Sequence, residues 1–173
     1  MADGADRLGQ SLLRVALGTP VTRRLRVHAG YALVVTDPAG GPVSTEHRAW
    51  QQALYPILTG GRASLVGRTR FEQRLLEGGE STGLRFRQLL RFNLPLGGAR
   101  SPSFIAWHEA FLTAKAADWG PETGFDQHRS LVGFALPVAT GFALEAGCFE
   151  QRVPQPRPDI VNRAFNLTLV SRF

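Results

Sequence analysis

The chain has 173 residues, 43% of them hydrophobic and 20% charged, with a net charge of +6. These figures fit one folded domain over 1–173 and exclude wholesale disorder. The positive charge is carried by arginine, with Lys115 the only lysine, and the arginines stand singly along apolar segments instead of forming a patch or tail, which argues against a nucleic-acid partner.

Residues 1–7 lack the apolar core of a signal peptide and are expected to be disordered or to flank a strand. A targeting segment would have been removed or would lie upstream. From Leu8 onward one pattern repeats: alternating residues, then a cluster of turn formers. Strands are predicted at 8–18, 21–36, 46–58, 62–77, 81–96, 102–115, 125–138, 141–154 and 160–173. The breakers include T-P at 19–20, D-P-A-G-G-P at 37–42, T-G-G at 59–61 and G-G-A-R-S-P at 97–102, all strong turn signals. Evenly spaced strands without helical periodicity favour an up-and-down barrel or a sandwich. Sandwich strands run to about five or six residues. These are about twice that, as in the tilted strands that cross a bilayer. No apolar run of about 18 residues exists, so a transmembrane helix is not expected.

The faces carry the chemistry. Arg68, Arg70, Glu72 and Arg74 share one face of their strand, opposite Thr69, Phe71, Gln73 and Leu75. In the next strand Arg85, Arg87, Arg91 and Asn93 oppose Leu84, Phe86, Leu90, Phe92 and Leu94. Later strands set Val132 and Phe134, then Phe165, Leu167 and Leu169, on the apolar side. With Glu46, Arg48, Glu109, Arg129 and Glu145, the charged residues are predicted to form an enclosed network, because charges in tight ladders need opposite partners or water. Arginine forks around carboxylates would fill a small barrel; the excess of Arg over Glu alternatively suits a narrow, anion-preferring pore.

Gln88 and His108 fall on the apolar face against the pattern. Asp126, His128 and Ser130 share a face, an acid, imidazole and hydroxyl that suit nucleophilic hydrolysis, yet neighbours two apart in one strand are too widely separated for a relay. Trp50, Trp119, Tyr31 and Tyr55 are candidates for interfacial girdles, and Trp107 is expected to pack beside Glu109. Cys148 is alone, so no intrachain disulfide can form. No phosphate cradle or metal spacing appears, and no cofactor is expected. The chain stops on Phe173 with Leu169, Leu167 and Phe165 in phase, like the terminal strand read by the outer-membrane barrel-assembly machinery; Ser171 departs from that pattern.

Six segments in order, E-H-R-A-W-Q-Q-A-L-Y at 46–55, R-T-R-F-E-Q-R at 68–74, L-R-F-R-Q-L-L-R at 84–91, W-H-E-A-F at 107–111, G-F-D-Q-H-R at 124–129 and L-E-A-G at 144–147, resemble the domain-of-unknown-function 2490 family of predicted outer-membrane barrels. The resemblance implies a barrel in the outer membrane of a Gram-negative bacterium, with further N-terminal strands absent from this chain, and leaves activity open. Strand parity agrees: bacterial barrels have an even number of strands, so nine implies one misread or an odd number absent, ten to twelve when complete. The expectation is an all-β, antiparallel up-and-down transmembrane barrel, non-enzymatic, with outer-membrane lipids and the assembly machinery as partners. The first alternative is a soluble or periplasmic barrel holding a lipophilic ligand, with its apolar face inward. The second is an outer-membrane lipid-modifying hydrolase.

Overall fold

A computed structural model of the chain describes residues 9–38, 41–98, 100–156 and 158–171. Within them run nine strands: β1 (Gln10–Pro20), β2 (Arg26–Thr36), β3 (Ser44–Gly60), β4 (Ala63–Leu76), β5 (Gly83–Pro95), β6 (Ser103–Lys115), β7 (Gly124–Ala139), β8 (Phe142–Val153) and β9 (Ile160–Ser171). They form one sheet in the order of the sequence, β1 to β9. β1–β2, β7–β8 and β8–β9 pair antiparallel. The fold is all-β and up-and-down, as the turn spacing predicts, with no helix among the described residues.

The first turn is a correction. Thr19-Pro20 was expected to break the chain, yet β1 continues through Pro20, which pairs with Arg26. The turn lies at 21–25, where Val21 and Thr22 both donate their N–H to the Leu25 carbonyl at 2.9 and 3.2 Å. The Thr22 hydroxyl oxygen accepts from the N–H groups of Arg24 and Leu25 at 3.1 and 3.0 Å. A proline lacks only a donor, so it is tolerated in an outermost strand. A threonine that satisfies two turn amides makes the stronger local signal. β2 therefore starts at Arg26 instead of residue 21.

Contacts group the chain into two units. The first comprises Met1–Ala53, Arg70–Phe86 and Leu112–Gly124; the second comprises Leu54–Thr69, Arg87–Phe111 and Phe125–Phe173.

In the first unit the charged face of β3, β4 and β5 buries Glu46, Trp50, Arg70, Glu72, Arg74 and Arg85, and Ala32, Val34 and Thr113 are buried as well. Trp50 was expected at a membrane interface and is instead buried, with the Arg70 guanidinium 4.1 Å from its ring centroid. Gly30 makes room for it, since a Cβ there would collide with the indole. A wide ring on a two-residue repeat needs such a gap opposite it.

In the second unit Ile105, Glu109, Phe111, Leu131, Arg87 and Gln127 are buried. The opposite face is apolar and open. Register aligns it into rows across three strands: Val132 with Cys148 and Phe165, Phe134 with Ala146 and Leu167, Leu136 with Leu144 and Leu169. One row further along, Ser130 aligns with Glu150 and Arg163, and the face turns polar. Successive side chains of a strand point to opposite faces, so one register fixes both the apolar rows and the charged rows. β1 is exposed at every position and β9 at nearly every one, each standing at an end of the strand order.

Candidate functional site: a buried arginine–glutamate network

The predicted charged residues do converge. In the first unit, Glu46 takes two guanidinium groups. Arg48, two residues on in β3, donates to both carboxylate oxygens at 2.9 and 2.8 Å, and Arg74 of β4 also grips both oxygens. Arg70 lies 3.5 Å from the Glu72 carboxylate and donates through two nitrogens to the Gln52 side-chain carbonyl at 3.0 and 2.6 Å. Arg85 is buried on the same face.

The second unit repeats the design. Glu109 accepts a bidentate pair of bonds from Arg87, both 2.9 Å, and a third from Arg68 at 2.6 Å. Arg91 donates to Glu145 at 2.6 Å. Arg129 donates to Gln127 at 3.3 Å, and the Gln127 carbonyl also receives the Gln151 amide. Fork-to-carboxylate pairs of this kind are the strong charge-assisted bonds.

The ladder predicted from sequence contains eight arginines and only four glutamates, so carboxylates alone cannot hold every guanidinium. Glutamine carbonyls take part of the excess. Aromatic faces take more: Arg70 over Trp50, Arg74 over Trp119 at 5.2 Å, and Arg87 and Arg129 on either side of Phe111 at 4.4 and 4.9 Å. Arginine is the cation suited to both kinds of partner, being planar and weakly hydrated. Gln52, Gln127, Gln151 and Phe111 were not among the predicted residues. Their signal was faint: each is simply in phase with the charged face.

The residues that broke the pattern have partners. Gln88 belongs to a cross-strand trio on the apolar face, in which Thr69 donates to its carbonyl at 2.7 Å and its amide donates to the Tyr55 hydroxyl at 3.2 Å. Gly67 leaves space for the Tyr55 ring. His108 is hydrogen-bonded through Nδ1 to the Ser130 hydroxyl at 2.9 Å, and its ring centroid is 5.2 Å from that of His128. Ser130 thus pairs across strands with His108 instead of along its own strand with His128. Trp107 packs against Phe149, ring centroids 6.1 Å apart. Tyr31 is exposed and bonded to His47. Phe173 lies outside the described residues.

A clasp that the sequence did not reveal joins the loops 77–82 and 116–123. The Asp118 carboxylate accepts from the Ser81 hydroxyl and from the backbone N–H groups of Ser81 and Glu80 at 3.1 and 3.2 Å. In return, the Asp118 N–H and the Trp119 indole N–H each donate to Ser81 at 3.0 Å. The Ser81 hydroxyl first, then the Glu80 amide, hold the Asp118 carboxyl below its usual range. A depressed folded pKa adds stability above the unfolded value, and that stability is lost as pH falls through the folded one. Acidification to below the ordinary aspartate range is therefore expected to release the clasp, raising amide exchange in both loops. Asp118→Asn should remove that pH dependence. Loops equally protected at pH 2 and pH 6 would count against it.

Comparison with known proteins places these features in a family context. The profile described as protein of unknown function (DUF2490) matches residues 1–162. An uncharacterized protein of Methylorubrum extorquens is 34% identical over 155 residues, covering 87% of this chain and 67% of that protein.

Proposed function

The chain belongs to the DUF2490 family of proteins of unknown function, and within it we propose that this protein is an integral outer-membrane β-barrel whose interior is filled by the arginine–glutamate network. One observation carries the reading. Glu72 and Glu109 are 1% and 4% exposed, while Phe134, Phe165 and Leu169 are 48%, 73% and 64% exposed. Water-soluble proteins distribute such residues the other way round. Apolar rows facing outward and charge facing inward are what a transmembrane barrel requires, since lipid solvates the first and the interior encloses the second.

On this reading Leu84, Phe86, Leu90, Phe92, Val132, Phe134, Phe165, Leu167 and Leu169 contact lipid. Shared carboxylates, amides and ring faces occupy the guanidinium groups, which favours a structural filling over a conducting pore. A soluble barrel holding a lipophilic ligand would need these apolar rows enclosed. The protein is expected in the outer-membrane fraction and to stay in the pellet after alkaline carbonate extraction. Recovery as a detergent-free soluble monomer, with Phe86, Phe92 and Phe134 in a closed core, would refute it.

A further inference from the structure

The second unit contains a cavity of about 1070 Å³, bounded by the ends of β4, β5, β7, β8 and β9 and by residues 100–101 and 140–141. That is the size of a small-molecule site, and its mixed lining fits one: apolar walls with a few convergent polar groups. The walls include Val66, Phe142 and Val170; the polar groups include Asn93, Arg91 and Arg100.

Here, unlike elsewhere in the network, the guanidinium groups are not all taken up by neighbouring side chains. Arg91 is engaged by Glu145, one oxygen at 2.6 Å, and its side chain remains 29% exposed. Arg100, on the turn, has no ion-pair partner among the described residues. Two guanidinium groups and one carboxylate leave the lining with one net positive charge. A ligand that suits it would carry a single anionic head and an apolar body.

We propose that this cavity binds an amphiphile with one anionic head group, a carboxylate or phosphate ester, held by Arg100 and the free edge of Arg91. Its hydrocarbon portion lies against Val66, Phe142 and Val170. The cavity belongs to one unit alone, so the inference does not rest on membrane insertion.

The test uses the whole chain in nanodiscs, with empty nanodiscs as the blank, titrated with decyl phosphate, decanoate, decanol and inorganic phosphate. Saturable binding of decyl phosphate or decanoate is expected to exceed that of decanol and of inorganic phosphate by at least about tenfold, the scale of one charge-assisted hydrogen bond. Arg100→Glu alters an exposed turn residue and should abolish the preference over decanol while leaving the melting curve unchanged. Inorganic phosphate binding as tightly as decyl phosphate would overturn the amphiphile. Equal binding of decanol, absence of saturable binding, or an unaffected Arg100→Glu would overturn the site. Protein recovered as a detergent-free soluble monomer that binds decyl phosphate with the same preference would contradict the proposed function and leave this inference standing.

Discussion

Glu109→Gln is expected to be the most destabilising single change of one atom type in the network. The carboxylate is 4% exposed and takes three bonds from Arg68 and Arg87. Its amide replacement removes the charge and turns one acceptor into a donor facing a guanidinium. Breaking a buried pair by removing one partner costs about 3–5 kcal/mol, and water reaching Arg68 will reduce that. The contrast is Glu150→Gln, whose partner Arg163 is a largely exposed side chain at 2.9 Å; a pair of that kind is worth about 0–1 kcal/mol. Thermal melting of the two variants should differ widely. If the network lines a pore instead, Glu109→Gln would leave the melting curve in place and raise anion selectivity in planar bilayers. A large, steady, anion-selective current from the unmodified protein would show that the interior is not filled.

Phe134→Arg should have the second large effect, and it acts on the opposite face. Phe134 lies in the row with Ala146 and Leu167 and stacks edge-on with Phe104, ring centroids 6.0 Å apart. An arginine facing lipid near the bilayer midplane costs about 2–4 kcal/mol, falling towards the interfaces. Refolding into vesicles should therefore be impaired and the urea midpoint lowered. On a surface in water the same change would cost little, because an exposed phenylalanine gives up only a partial contact. A variant that refolds and melts like the parent would contradict a lipid-facing position.

Much of this is legible in the sequence. The two-residue period of a strand sorts side chains by face, so Arg68, Arg70, Glu72 and Arg74 could be placed together, and Phe165, Leu167 and Leu169 apart from them. What stayed hidden depends on register between strands distant in sequence. Gln88 looked misplaced because Tyr55 and Thr69, which satisfy it, lie on other strands. Trp50 looked interfacial because nothing local shows that Gly30 leaves it room or that Arg70 covers it. The Asp118–Ser81 clasp joins loops 37 residues apart, beyond any local signal. The Thr19-Pro20 turn failed for a different reason: proline can close a strand as readily as end one, and Thr22 built the better turn two residues on.

Cys148 offers the most direct test of the central claim. It is the only cysteine in the sequence, it is exposed, and it stands between Val132 and Phe165 in an apolar row. A nitroxide attached there, in protein reconstituted into bilayers, can be probed with molecular oxygen, which concentrates in lipid, and with a water-soluble nickel chelate. The account predicts strong relaxation by oxygen and weak relaxation by the chelate. Strong relaxation by the chelate, with little effect of oxygen, would place that face in water and contradict the barrel's insertion in a membrane.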